Sequence, residues 1–202
     1  MSGDLPAAVC FLNLQVQLLV MAFSFFGKKE NNSPSGVFSD RTYISTAAKM
    51  NACLELVKKD PDTLFICWFP YTAGKFKEFF VQHGIDETCI TEARYVHTAM
   101  LQHKTPVFAE HYPLHSKEME LIKGWPHKEI IVFSALDEPL FRHFGSDKVI
   151  PLMKMMGMKE AEAIEHPMVS KSILRSQEKI AGKVSFELAA NSPADWLDKN
   201  LK

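Results

Sequence analysis

The chain has 202 residues, 47% of them hydrophobic, enough to bury one core and an appended helical layer without metal or disulfide support. Its 23 basic residues are balanced by 24 acidic ones, for a formal net charge of -1. That balance argues against a nucleic-acid partner and against a polybasic membrane surface, and leaves another protein as the expected partner.

The first forty residues stand apart. From Ala7 to Phe26 the composition is apolar, interrupted by Asn13, Gln15, Gln17 and Ser24 and followed at once by Lys28 and Lys29. A membrane-spanning helix needs about 20 apolar residues, so this segment is borderline in length and too polar in its middle. Asp4 is the single charged side chain before Lys28, which does not suit a signal peptide. Membrane contact is therefore expected, if at all, only through residues 7–26. Leu12, Leu14, Val16 and Leu18 alternate with polar residues in strand-like fashion, and a native start at Met21 would make residues 1–20 foreign to the protein. Glu30 to Ser39 reads as a flexible linker. The expected organisation is an N-terminal segment and linker over 1–40, an α/β domain over 41–157 and a helical extension over 158–202.

Ser45 or Thr46 caps a helix carrying Ala47, Met50, Cys53, Leu54 and Val57 at helical spacing, until Asp60-Pro61-Asp62 turns the chain. Thr63 to Phe69 is apolar on both faces, as a central strand needs when helices cover both sides of a sheet. A helix from Ala73 to His83 follows, with Phe76, Phe79 and Phe80 on one stripe. Then come a short strand at Glu87 to Ile90, a helix with Ala93, Val96 and Met100 on one face, a strand from Pro106 to His111, a helix from Ser116 to Lys123 and a strand at Ile130 to Phe133. This alternation predicts an α/β fold with a mostly parallel four-stranded sheet and flanking helices, whose ligand sites lie at the carboxyl ends of the strands. Thr72, Thr91 and Glu110 are the candidates there. From Leu136 onward the pattern is helical: Glu138 to Phe144, Asp147 to Met156, Val169 to Ala181, and a last helix opened by Ser192-Pro193.

The motifs that would carry chemistry are missing. Gly-Lys occurs at Gly27, Gly74 and Gly182, but none belongs to a G-x-x-x-x-G-K-[ST] loop. Thr72-Ala73-Gly74-Lys75 therefore reads as turn chemistry. Asp137-Glu138 follows a strand, and the expected role of Asp137 is to cap the next helix. Glu110-His111 and His115 are the one histidine cluster, and Pro113 between the two histidines favours a solvated loop over a metal site. The four cysteines, Cys10, Cys53, Cys67 and Cys89, form no C-x-x-C pair and suit a reducing, cytoplasmic compartment. No enzymatic activity, cofactor or metal is expected. Met153, Met155, Met156 and Met158 crowd together near Phe141 and Phe144, either as core filling or as a partner face.

The stretch Leu136-Asp137-Glu138-Pro139-Leu140-Phe141-Arg142-His143-Phe144-Gly145-Ser146-Asp147-Lys148 resembles SecA, the preprotein translocase ATPase. The likeness continues through Met156-Gly157-Met158, Ile164-Glu165-His166-Pro167-Met168-Val169-Ser170-Lys171-Ser172-Ile173 and Arg175-Ser176-Gln177-Glu178-Lys179. It is similar to the end of that family's second helicase-type motor domain and the start of its scaffold helix, and implies a helicase second-domain-like fold for the α/β part. The resemblance also sharpens what is missing: the family's phosphate loop lies in a first domain for which this chain has no room. After Phe108-Ala109-Glu110 the sequence reads His-Tyr-Pro-Leu-His-Ser, without the family's glycine-rich motif and arginine-rich helix. The expectation is a non-catalytic, SecA-like interaction or regulatory module, with Phe141, Phe144, Met155, Met156, Met158 and His166 as partner-binding candidates. Two alternatives stand beside it: a subunit completing a nucleotide site on a separate ATPase, and a small-molecule-binding α/β domain.

Overall fold

The structure, a computed structural model, describes residues 37–155 and 157–201. The segment 7–26, the possible start at Met21, Cys10 and Met156 lie outside the described residues. Five strands alternate with helices: β1 (Phe38–Tyr43), α1 (Thr46–Lys59), β2 (Thr63–Cys67), α2 (Pro70–Gln82), β3 (Ile90–Glu92), β4 (Thr105–Phe108), α3 (His115–Ile122) and β5 (Ile130–Ala135). Four α-helices follow among the described residues: α4 (Pro139–His143), α5 (Val149–Met155), α6 (Pro167–Ala181) and α7 (Pro193–Asn200). The strand order is β1-β5-β4-β2-β3, and every pairing is parallel.

The α/β class and the helical extension are those the sequence predicts; the sheet gains a fifth strand. Phe38 to Asp40, placed in the linker by their polarity, are the start of β1. A strand this polar is tolerated because Asp40 is buried against His111, as shown below. A second correction concerns Ala93 to Leu101. The spacing of Ala93, Val96 and Met100 suggests a helix, but the segment forms two short 3-10 turns, Ala93–Tyr95 and Thr98–Leu101. The strand before it also begins later than expected, at Ile90 after a 3-10 turn over Glu87–Cys89.

β2, expected at the centre, lies one place from it between β4 and β3, and its apolarity suits that interior position, since all five of its residues are buried. On one face of the sheet, Phe65, Cys67, Val107 and Phe133 pack against Cys53, Leu54 and Val57 of α1 and Phe76 and Phe80 of α2. On the other, Leu64, Ile66, Phe108 and Val132 meet Leu101 and Ile122 of α3. The chain leaves β2 toward β3 at one edge and leaves β4 in the opposite direction toward β5. The carboxyl ends of β2 and β4 therefore flank the point where the winding reverses, the place where an open parallel sheet leaves a crevice.

The extension closes over that end. Trp196 of α7 is fully buried among Phe69, Leu114, Leu140, Phe144 and Ile180, and its indole N–H donates to Glu187 at 2.9 Å. The Tyr71 amide, in the first turn of α2, donates to the Asn191 carbonyl at 3.0 Å. No helix among the described residues is long and apolar enough to cross a membrane.

Candidate functional site

Just past β4, Glu110 turns its carboxylate onto the start of α2. Oε1 accepts from the backbone amides of Trp68 at 3.0 Å and Phe69 at 3.2 Å, and Oε2 from the Thr72 hydroxyl at 2.7 Å. The first amides of a helix carry no internal partner and favour an anion, which is why phosphate groups settle at such termini. Here the chain supplies that anion itself. Burial raises Glu110 to about 7, against the pull of Lys49 and the Thr72 hydrogen bond.

No local motif marks Lys49, although it sits four residues before Cys53 on the inward stripe of α1. Its amine is buried, donates to the Ala109 carbonyl at 2.6 Å and pairs with Glu138. Burial alone would lower its pKa; the Glu138 carboxylate, helped by Glu110, overrides this and holds it above the ordinary 10.5. The other oxygen of Glu138 accepts from the Ala135 amide at 3.0 Å. Asp137 does cap a helix, but a different one from that expected. Oδ1 accepts from the amide and the hydroxyl of Thr46, each at 2.7 Å, at the start of α1. The β5 end lies beside α1 in space, so the nearer amides win over those of α4.

The histidine pair corrects a further expectation. His111 is buried, not solvated: Nε2 lies 2.8 Å from Asp40 and Nδ1 3.0 Å from Glu118. Burial would lower the imidazole, but Glu118 and Asp40 together raise it to about 10. His111 in turn holds both carboxyls below their ordinary range against the opposing effect of burial. Glu118 also meets His115 at 3.1 Å and accepts from Gln177 of α6 at 2.9 Å. The cluster ties β1, α3 and α6 together, and a ring bonded on both nitrogens by carboxylates has no lone pair left for a metal. Among the described residues no group of His, Cys, Asp and Glu could hold one.

Between α1, α2, α4 and the start of α7 lies a cavity of about 550 Å³ whose floor carries Lys49, Glu110 and Glu138. Thr72 and Glu110 line it, as the carboxyl-end reading anticipates; Thr91, on the edge strand β3, does not.

The partner-face candidates scatter. Phe141 is 1% exposed, inside a cluster with Leu136, Val149, Met153 and Ile173, and Phe144 is buried against Trp196. Both are core residues and present no surface to a partner. Met158 packs against the Phe141 cluster, while Met155 is 84% exposed. His166 accepts from the Met168 amide at 3.2 Å and so caps α6.

No family model matches the chain. The protein translocase subunit SecA of Acidithiobacillus ferrooxidans is 53% identical over 51 residues, a stretch that makes up 25% of this chain and 6% of that protein. Part of this chain resembles SecA. The SecA subunits of Rickettsia akari and Rickettsia rickettsii are each 39% identical over 59 residues, 29% of this chain and 6% of theirs. The chain thus matches only a small part of the length of its SecA relatives. The residues that carry the SecA resemblance in the sequence, Leu136 to Lys179, run from the end of β5 around the β1 edge of the sheet. There Thr42 and Ile164 exchange backbone hydrogen bonds of 3.2 and 2.8 Å. Within that run Gly145 has φ of 87°, a left-handed turn that a side chain would strain, and the Ser146 hydroxyl donates to the Leu136 carbonyl.

Proposed function

We propose that this protein is a SecA-like module that works without binding or cleaving nucleotide, as a cytoplasmic interaction or regulatory domain linked to protein translocation. The similarity to SecA supports the link to translocation. The observation that carries the rest is the seat of Glu110. A triphosphate in this crevice would meet a buried carboxylate on the very amides it needs, and the next amide, that of Tyr71, is taken by Asn191. Phosphoryl transfer needs positive charge where negative charge develops. Lys49 is engaged by Glu138, and Arg142 at the surface pairs with Asp147 at 3.6 Å.

Two assays on the full chain test the reading. Steady-state ATP hydrolysis should stay at the blank rate with magnesium present, and capture from extract should recover components of the export machinery. Turnover above the blank that follows the protein through purification would overturn the first half. Reproducible recovery of partners unrelated to export would overturn the second.

A further inference from the structure

The crevice that rejects an anion keeps a cavity of about 550 Å³, and its lining has a definite chemistry. The walls are largely apolar, with Met50, Phe76, Leu140 and Pro193 among them. The floor is acidic. Lys49 and His111 are the buried cations at this end, and they face the carboxylates of Asp40, Glu110, Glu118 and Glu138. His111 is spent on Asp40 and Glu118, and Lys49 is paired with Glu138, so Glu110 feels Lys49 at longer range but makes no direct ion pair. A carboxylate offers about four acceptor positions. Glu110 uses them for the Trp68 and Phe69 amides and the Thr72 hydroxyl, which leaves capacity on Oε2. Lys75, the other cation of the lining, is exposed, 3.8 Å from Glu78 and above the Tyr71 ring at the rim. Ser192, Pro193 and Ala194 wall the cavity from the tail, so the site exists only with α7 docked.

We propose that this cavity is a binding site for a small organic cation, a primary ammonium on a compact apolar body, with the ammonium held by Glu110 and the body against Phe76, Leu140 and Pro193. The apolar contacts supply area removed from water and the excess carboxylate supplies the selection by charge. The inference is independent of any role in export.

Calorimetric titration of the full chain tests it with benzylammonium chloride, benzyl alcohol and benzoate, which share a size and differ in charge. The ammonium should bind saturably, one per chain, at least about tenfold tighter than the alcohol, and benzoate should not bind. Because Glu110 titrates at about 7, its ionised fraction rises from about a tenth to about nine-tenths between pH of about 6 and about 8, so affinity should rise about tenfold across that interval. The groups facing Glu110 are Lys49 of α1, Thr72 and Lys75 of α2, His111 beyond β4 and Glu138 beyond β5; of these, Lys49 is held above its ordinary 10.5 and His111 is raised to about 10, so both stay protonated across that interval. Glu110→Gln keeps an acceptor for the amides and should abolish both the preference for the cation and the pH dependence. Ala194→Trp fills the cavity from the tail without touching the floor and should abolish binding. Circular dichroism confirms that each variant is folded. Equal affinity for the three probes, no binding of the ammonium, or binding that survives both substitutions would overturn the proposal.

Discussion

Lys49 and His111 show how buried charge organises this molecule, and each makes a measurable prediction. Removing one member of a buried pair strands the other: Lys49→Met should cost about 3–5 kcal/mol, and adding Glu138→Gln should recover most of it. Urea denaturation of the single and double variants checks this. Stability should also depend on pH with a definite sign. His111 is raised from 6.5 to about 10 on folding, so its contribution is complete below about 6.5 and is lost as pH rises toward 10. Glu110, raised from 4.5 to about 7, likewise loses its share as pH rises between those values. Asp40 and Glu118 are lowered, so their contribution is present above the ordinary carboxylate range and is lost as pH falls below it. The urea midpoint should therefore be greatest near pH of about 4.5, fall on the acid side as Asp40 and Glu118 protonate, and decline on the alkaline side, first through Glu110 and then through His111. His111→Gln should flatten that alkaline decline above pH of about 7 and lower stability throughout. At this scale the sequence was least legible. Glu110 and Thr72 could be placed by their position after strands, but nothing local marks His111 as buried, because its two carboxylates come from 71 residues before and 7 residues after it.

Helices and strands with a single strong period were readable, and those whose form depends on tertiary partners were not. β2 and α2 follow from apolar runs and a phenylalanine stripe. β1 escaped because Phe38 to Asp40 fall at the end of the expected linker and its polar residues are answered by distant partners, Asp40 by His111, Thr42 by Ser134 of β5 and Arg41 by Glu165. Ala93 to Leu101 misled in the other direction, since helical spacing over nine residues did not secure a helix between two short strands. α7 was legible as a capped helix, but not as a lid: its Ser192 hydroxyl accepts from the Asp195 amide, and Trp196 then reaches the core. Trp196→Ala should cost about 3–5 kcal/mol, measured by urea unfolding, because it empties the centre of a cluster with Phe69, Leu140 and Phe144. An unchanged midpoint would mean that the tail does not dock.

For the whole molecule, the sheet keeps the open carboxyl edge on which α/β proteins hold ligands and fills its anion position with its own Glu110. The stretch resembling SecA wraps the opposite structural role: it seals the β1 edge and supplies Glu138 to Lys49. A stretch resembling SecA and a crevice whose helix amides are already occupied are thus compatible, because the two features reside in different residues. The claim rests most directly on whether a nucleotide can enter. Titration calorimetry of ATP with magnesium into the full chain should give only heats of dilution, and thermal unfolding should not move, whereas ligand at a hundred times its dissociation constant would add about 2.7 kcal/mol of stability. A saturable isotherm of one ATP per chain, with matching stabilisation, would contradict the account.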